Sequence, residues 1–596
     1  MTHTSTAVAQ TSNATRSASE PIEYTVSFPA PHTHYVEVSA VVPTGDRPSV
    51  ELMMAVWTPG SYLVREFERN VESVTAVTPD GRALAVEKSD KNRWRVTSAA
   101  ARSVTVRYRV YGHEMSVRTN WIEAGFALLN GAPTFMTLAG DGRSRPHHVT
   151  IVPAQGWKRS VTALEALPGG EHRYRAADYD TLVDSPILIG NPAVHQFEVD
   201  GKPHYLVNEG EAGVFDGVRA ARDLETIVRE YRRMWGSLPY EKYVFFNLLT
   251  EASGGLEHKS SSVLMASRWT TRTRRAYLGW LELASHEFIH VWNVKRLRPV
   301  ELGPFNYEDE VHTRSLWIAE GITDYYADLA VHRAGLSTTE ELLESLGDKI
   351  EELQTTPGRL VQSASLASYD AWIKYYRPDE NSANTSISYY TKGAVLGFLL
   401  DGKIRKATNG ARSLDDVMVA AFQRYAGERG YTPADFRAVA EQVAGMSLAS
   451  FWENGVDGTA ELDYSEALEA FGLRFRAAAQ PAGRPWLGAT TRNDAGRLVV
   501  SQVRRDSPAQ AGGLNVDDEI LAIDEFRVRA DRLDNRLEQY RAGDRISMLV
   551  ARREQLIRVE ITLGAEPPRA WRLEVDPSAP QRAEQWRERW LQPGRG

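Results

Sequence analysis

The stretch Ser285-His286-Glu287-Phe288-Ile289-His290-Val291-Trp292 carries the strongest functional signal in this chain. In a helix, His286 and His290 lie about one turn apart on one face, so both imidazoles can bind one metal ion. Glu287 is then placed to act on a water molecule bound to that ion. The pattern is typical of zinc hydrolases when it lies in a helix and a third ligand follows. The alternative is a helix that carries two surface histidines by chance.

Length and composition predict a soluble protein with several domains. The chain has 596 residues, too many for one core, and we expect three or four units. Hydrophobic residues make up 42% and charged residues 25%, which is ordinary for a globular protein. The formal charge of −8 does not suggest binding to nucleic acid or to an anionic membrane. No apolar run approaches the ~18–20 residues of a membrane helix, so we expect no membrane partner.

The sequence contains no cysteine. This excludes disulfides, thiolate zinc sites and cysteine nucleophiles, so histidines and carboxylates must hold any metal. Residues 1–20 are rich in Thr, Ser and Ala without an apolar segment, which predicts a disordered tail and not a signal peptide. A cytoplasmic location is the simplest expectation, and a periplasmic one applies if a signal was removed.

Residues 21–195 are predicted to form an antiparallel β domain. Short runs such as 22–28 and 36–42 alternate apolar and polar side chains, with Gly, Pro, Asn and Asp between them. A turn over 57–62 precedes the polar run 65–70. These polar residues either fix the turn or line a substrate cleft.

Residues 196–470 are predicted to form an α/β domain with a large helical part. Gly254 and Gly255 allow close backbone approach, and the segment 254–265 is predicted to be an exposed edge strand that can pair with a peptide. A helix over 275–296 carries the two histidines, and a second helix follows over 316–327.

The second helix offers the missing metal ligand. A catalytic zinc usually takes three protein ligands and leaves a fourth position for water, and Glu320 can be the third. Gly321 leaves room beside it, and Asp324, one turn further on, can accept the second N–H of a ligating histidine. An ordinary solvated carboxylate is the alternative for Glu320. A set of two histidines and a glutamate also accepts cobalt or manganese.

Glu287 and one tyrosine are the candidate catalytic residues. Zinc lowers the pKa of its bound water towards ~7, so Glu287 can take that proton at neutral pH. The oxyanion that develops on the substrate needs a donor, and the hydroxyl of Tyr390 is suitable. Spacing alone does not select Tyr390, because the chain has 24 tyrosines.

Several motifs together resemble those of the gluzincin metallopeptidases, and more specifically of the glycyl aminopeptidase family. The resemblance covers nearly the whole chain after residue 20. It implies a multidomain α+β fold in which an N-terminal antiparallel β domain and a thermolysin-like catalytic domain precede a PDZ domain. It also implies one zinc ion per chain. The motifs in this sequence are His286-Glu287-x-x-His290 with Glu320, Tyr390-x-Lys392-Gly393, and Gly254-Gly255-Leu256-Glu257-His258.

The resemblance also implies roles for single residues. Tyr390 matches the tyrosine that stabilises the tetrahedral intermediate, and Glu257 matches the glutamate that pairs with the substrate's α-amine in the aminopeptidase N group. A carboxylate there makes an exopeptidase, because it favours a charged amine held one residue from the metal. The family's name implies release of N-terminal glycine or alanine from peptides. His258 stands where aminopeptidase N has asparagine, so substrate contacts around the scissile bond are expected to differ.

Residues 471–566 resemble a PDZ domain, and residues 567–596 are predicted to form a partly helical tail. Leu487, Gly488 and Ala489 stand where the carboxylate-binding loop would be. Such a groove binds a C-terminal peptide by adding it as a strand. A purely packing role is the alternative, because this loop lacks large apolar residues.

Two other functions stay open. A gluzincin endopeptidase would use Glu257 to contact the peptide backbone and not an amine. A PDZ-bearing adaptor would have an inactive peptidase domain. The presence of both histidines with Glu287, Glu320 and Tyr390 argues against the adaptor.

Overall fold

The computed structural model describes residues 20–476, 483–567 and 571–592. The tail predicted over residues 1–20 lies outside these residues except for Glu20. The chain divides into two compact units. Two segments of the predicted β domain, 56–66 and 115–119, belong to the second unit, and the chain enters that unit for good at Asn191.

The first unit is a β domain, and its antiparallel character is confirmed. An eight-stranded sheet has the order β14-β15-β12-β1-β2-β8-β4-β5, and only its pair β1 and β12 is parallel. Two four-stranded sheets, β13-β16-β10-β9 and β11-β3-β7-β6, complete it. Alternate residues of β2 are buried, because one face of the sheet covers the core. Its elements are β1 (Ile22–Ser27), β2 (Tyr35–Pro43), β3 (Ser49–Met53), β4 (Val71–Val77), β5 (Ala83–Leu84), β6 (Val86–Asp90), β7 (Arg93–Thr97), β8 (Ser103–Tyr111), β9 (Trp121–Ile122), β10 (Ala127–Leu129), β11 (Thr137–Leu138), β12 (His147–Val152), β13 (Arg159–Thr162), β14 (Glu165–Ala166), β15 (Arg173–Ala176), α1 (Tyr179–Val183) and β16 (Ile187–Gly190).

The second unit begins with a mixed five-stranded sheet in the order β17-β18-β19-β21-β20. The segment 254–265 forms two strands of this sheet and not a single edge strand. The first lies at the edge, as predicted, and pairs antiparallel with the second, which lies between two neighbours and is almost wholly buried. The strands are β17 (Ala193–Val199), β18 (Lys202–Glu209), β19 (Tyr243–Leu249), β20 (Gly254–Glu257) and β21 (Ser261–Ala266).

Eleven α-helices follow β18 in the catalytic part of this unit. They are α2 (Gly217–Trp235), α3 (Arg274–Ile289), α4 (Thr323–Arg333), α5 (Thr339–Thr355), α6 (Ala364–Tyr369), α7 (Ser382–Thr385), α8 (Tyr389–Ala407), α9 (Leu414–Tyr425), α10 (Pro433–Ala444), α11 (Ala449–Phe451) and α12 (Ser465–Phe471). Within the described residues, three π-helical segments occur, over Trp317–Ile322, Ala371–Tyr375 and Trp452–Val456.

The helix that carries the histidine motif is shorter than predicted. The hydroxyl of Thr273 accepts a hydrogen bond from the Ala276 amide and starts α3, but α3 ends at Ile289 and not at residue 296. Val294 has a left-handed φ of 89°, which a continuing helix cannot accommodate. His290 is the C-cap residue of α3. The predicted helix over 316–327 is a π-helix that passes into α4 at Thr323.

The C-terminal part of the second unit contains the PDZ fold, with a sheet in the order β24-β25-β26-β28-β29 and its own apolar core. A separate pair, β22 and β31, joins the chain before and after this fold, and the last helix packs on α12 and α4. The elements are β22 (Leu473–Phe475), β23 (Pro485–Trp486), β24 (Ala489–Asp494), β25 (Arg497–Val503), α13 (Pro508–Gly512), β26 (Glu519–Ile523), β27 (Phe526–Arg527), α14 (Leu533–Leu537), β28 (Arg545–Arg552), β29 (Gln555–Thr562), β30 (Gly564–Ala565), β31 (Leu573–Val575) and α15 (Gln581–Leu591). Of the helices described, none has the length and apolar character needed to cross a membrane.

Candidate metal centre and active site

Three side chains converge between α3 and the π-helix. Nε2 of His286 lies 3.5 Å from Oε2 of Glu320, and Nε2 of His290 lies 3.2 Å from the same oxygen. One possible ligand atom from each of the three residues lies within 4.8 Å of the others. Two imidazoles and one carboxylate are a ligand set of catalytic zinc sites.

Outer contacts orient both imidazoles towards Glu320. Nδ1 of His290 lies 2.8 Å from the carbonyl oxygen of Asn293, so Nδ1–H donates there and leaves Nε2 for a metal. Nδ1 of His286 faces Oδ1 of Asp324 at 3.5 Å. The side chain of Asn293 also donates to the carbonyl of Ile318 at 2.9 Å, which ties the end of α3 to the π-helix.

The charges at this site call for a cation. Oε1 of Glu320, Oε1 of Glu257 and Oε2 of Glu287 are buried without a hydrogen-bond partner in the described part of the chain. Burial raises the pKa of Glu287 to about 7. Burial also opposes ionisation of Glu320, but His290 and His286 bring its pKa down to about 2. The three buried oxygens without hydrogen-bond partners still lack a counterpart, and a divalent ion between them would supply it. The residues present therefore fit a zinc ion.

Two glycines allow close contacts with the carboxylates. A Cβ on Gly255 would lie 2.0 Å from Oε1 of Glu287, so the predicted close approach at β20 is to this side chain. A Cβ on Gly60 would lie 2.5 Å from Oε2 of Glu257. Gly60 belongs to the turn 57–62, which the sequence did not connect with the site. Gly254 has a left-handed φ of 144° and no atom near its Cβ position.

Tyr390 reaches the site because two helices touch through glycines. A Cβ on Gly393 of α8 would lie 2.6 Å from the carbonyl oxygen of Trp317 and 2.7 Å from Cα of Gly321. The space beside Glu320 that Gly321 was expected to leave is thus filled by the α8 backbone. The rings of Tyr390 and His286 have centroids 6.0 Å apart. Burial raises the pKa of Tyr390, so its hydroxyl keeps its proton and can donate.

A cavity of about 390 Å³ adjoins these residues. It brings together His286, His290, Glu320, Glu287, Glu257, Gly255, Asp324 and Tyr390. None of the residues that line it comes from the polar run 65–70. Its lining also contains residues that the sequence did not predict: Gly60, Arg118, Gly279, Glu282, Leu283, Ala327, Asp328, Lys349 and Tyr376. For Glu282, its place one turn before His286 on α3 was a usable signal. No local pattern indicates Arg118 or Lys349.

Other predicted site residues lie elsewhere. His258 is buried in the turn between β20 and β21, where its amide donates to the Ser261 carbonyl at 2.9 Å, and it is not among the residues that line the cavity. In the PDZ loop, Leu487 is part of the domain's core. Gly488 has a left-handed φ of 75°, and Ala489 begins β24.

Comparison with protein families finds three matches. The model of the peptidase M61 N-terminal domain matches residues 23–191, the model of M61 glycyl aminopeptidase matches residues 279–396, and the PDZ model matches residues 485–563. A comparison with curated proteins finds no match.

Solved structures include a similar protein over nearly the whole chain. The aminopeptidase N family protein from Idiomarina loihiensis has a TM-score of 0.89 and 28% identity, covering 96% of this chain and 100% of its own. An M1 zinc metallopeptidase from Deinococcus radiodurans has a TM-score of 0.46 and 13% identity, covering 75% of this chain and 95% of its own, which is too distant to support an inference. The chain thus matches the M61 peptidase models over residues 23–191 and 279–396 and carries a PDZ domain on the C-terminal side of these segments.

Proposed function

We propose that the protein is a zinc-dependent aminopeptidase that releases glycine or alanine from peptides with a free N-terminus. The observation that carries this proposal is the position of Glu257. Its carboxylate is buried beside the metal ligands, with an oxygen of Glu257, one of Glu287 and a nitrogen of His290 within 4.8 Å of one another. A peptide whose α-amine pairs with Glu257 therefore places its first carbonyl next to the metal site.

His286, His290 and Glu320 would hold the zinc ion, which supplies Lewis-acid polarisation of a carbonyl and acidification of water when bound. Glu287 would accept the proton of the attacking water. Its pKa of about 7, raised by burial, suits a proton acceptor at neutral pH. Gly255 leaves the space that this carboxylate occupies, because a Cβ there would collide with it.

Tyr390 would donate a hydrogen bond to the oxyanion that develops on the substrate carbonyl. The contact between Gly393 and the π-helix positions the start of α8, which carries Tyr390. The turn with Gly60 lies directly against Glu257, so there is little room around the bound amine. This crowding supports a preference for small N-terminal residues.

The PDZ domain has features that support peptide binding. β24 is the last strand of its sheet, and no described strand pairs with its outer edge, so an extended C-terminal peptide can add there. The domain also packs against the catalytic part. The side chain of Asn384 in α7 donates to the Val503 carbonyl and accepts from the Arg505 amide, both at 2.8 Å.

The test compares a free and an N-acetylated peptide with the same glycine-first sequence. We expect acetylation to lower kcat/KM about 100-fold or more, because it removes a charged partner from the buried Glu257. Glu257→Gln should lower cleavage of the free peptide and leave the zinc content unchanged. Chelation should abolish activity, and added zinc should restore it. Equal cleavage of both peptides would contradict the proposal and support the endopeptidase alternative.

A further inference from the structure

The cavity at the metal site continues along α3, away from Glu257. Gly279, Glu282, Leu283 and His286 all line it, and their spacing places them on one face of the helix. A helix rises 1.5 Å per residue, so Glu282 lies about 6 Å before His286 along the axis. Glu257 lies near Glu287 and His290, towards the other end of α3.

This end of the cavity is negatively charged. Lys349 supplies a positive charge here. Its Nζ lies 2.6 Å from Oδ2 of Asp328 and 3.4 Å from Oδ2 of Asp324. One positive charge is thus shared between two carboxylates. Glu282 adds a third carboxylate, and no described residue forms a hydrogen bond or an ion pair with it.

The surroundings of Glu282 disfavour its ionised form. Burial raises its pKa to about 8, Asp328, Asp324 and Glu341 add to the rise, and Lys349 acts against it. Arg274 lies nearby, but its guanidinium is hydrogen-bonded to Glu341, with Nε 2.8 Å from Oε1. A cation that enters the cavity from solution would supply the missing partner for the Glu282 carboxylate.

We propose that Glu282 is a specificity-determining residue that binds a lysine or arginine side chain on the residue after the scissile bond. The inference rests on the proposed function, because Glu257 fixes the substrate amine at one end of the cavity. The carbonyl lies at the metal site, so the rest of the peptide continues towards Glu282. The flexible stem of lysine or arginine can span the turn of α3 between His286 and Glu282.

An acidic side chain would not be accepted in the same place. Lys349 is the only cation that lines this end of the cavity among the described residues, and Asp324 and Asp328 already neutralise it. The second residue of the substrate therefore meets a net negative surface. A glutamate there would face Glu282 and Asp328 without a free cation.

Binding is measured first, by calorimetry, with zinc-loaded full-length protein carrying Glu287→Gln so that the peptides stay intact. The probes are glycine-first peptides that differ only in lysine, norleucine or glutamate at the second position. We expect lysine to bind about tenfold more tightly than norleucine, and glutamate more weakly than both. Adding Glu282→Gln should bring the ratio of lysine to norleucine to about one. Adding Glu340→Gln instead, on the exposed surface of α5, should leave the ratio unchanged.

The pH dependence of this ratio gives a second readout. At pH 6 the Glu282 carboxyl is mostly protonated and must release its proton to pair with lysine, whereas at pH 9 it is already ionised. The ratio should therefore rise between these values with Glu282 present and stay flat with Glu282→Gln. A ratio of one with Glu282 present, or an unchanged ratio with Glu282→Gln, overturns the inference. If the wild-type enzyme cleaves none of the peptides, the proposed function is wrong. The binding ratio still tests whether Glu282 recognises a cationic side chain.

Discussion

Alanine at position 393 should separate the two helices that place Tyr390 and Glu320 side by side. The new Cβ would lie 2.6 Å from the carbonyl oxygen of Trp317 and 2.7 Å from Cα of Gly321. Both are backbone atoms and cannot rotate away. An ordinary contact begins at 3.4 Å, so α8 must move by about 0.8 Å.

This displacement has two measurable costs. Overpacking lowers the free energy of unfolding by ~1–3 kcal/mol, and the higher helix propensity of alanine offsets about 1 kcal/mol of that loss. The effect on catalysis should be larger, because a misplacement close to 1 Å can lower a rate about 100-fold. We therefore expect Gly393→Ala to fold, to keep most of its stability and to lose about 99% of kcat.

Urea unfolding, zinc content and kcat on a glycyl arylamide check these expectations. Gly397→Ala is the matched control, because Gly397 lies one turn further along α8 and the three atoms nearest to its Cβ would be Cβ, Cγ and Cδ1 of Tyr325, at 3.2, 3.2 and 3.4 Å. A shift of about 0.2 Å relieves these contacts, against about 0.8 Å at Gly393, so kcat should stay near the wild-type value. A wild-type kcat for Gly393→Ala would refute the idea that this helix contact positions Tyr390.

Three further predictions concern the proton acceptor, a buried histidine and the last helix. Glu287→Gln should retain zinc, as measured by elemental analysis, but lower kcat by several orders of magnitude, because it removes the proton acceptor. A normal rate would exclude Glu287 from that role. Burial lowers the pKa of His147 to about 4 from 6.5, so the unfolded chain takes up this proton first. The contribution of His147 to the free energy of unfolding is fully present above pH 6.5. It should fall by about 3 kcal/mol as the pH drops to 4. Urea titrations at several pH values should show a weaker dependence for His147→Gln, and an equal dependence would contradict this origin. Trp590→Ala should lower the unfolding free energy by ~3–5 kcal/mol in thermal melts, because it empties a core position and leaves the Tyr325 hydroxyl without its donor; an unchanged melting temperature would show that α15 is not part of the core.

The convergence of His286 and His290 could be predicted from the sequence because their spacing specifies their separation on a helix. Glu320 and Asp324 could be proposed for the same reason, since they are one turn apart on the next helical segment. The position at which α3 ends could not be predicted from the sequence. After Ile289 the chain turns, with a left-handed φ of 89° at Val294 and a hydrogen bond from its amide to the Leu297 carbonyl, and a β-branched residue gives no sign of such a conformation.

Contacts between residues far apart in the sequence could not be predicted from local sequence patterns either. The segment 254–265 was predicted to be one exposed edge strand, but its second part, β21, pairs with β19 and β20 and its side chains are almost all buried. Gly60 and Arg118 come from segments that the sequence assigns to the β domain, yet both line the cavity. Their positions follow from how the chain packs over long sequence distances.

The last helix has a consequence for the timing of synthesis. Trp590 of α15 donates to the Tyr325 hydroxyl at 2.7 Å, and its carbonyl accepts from Nε of Arg333 at 2.9 Å. Tyr325 and Arg333 both belong to α4, which also carries Asp324 beside the metal ligands. Residues 581–591 leave the ribosome after every predicted metal ligand has emerged. The core around α4 is therefore completed only after the chain has grown 265 residues beyond Tyr325, because Trp590 is the donor to its hydroxyl.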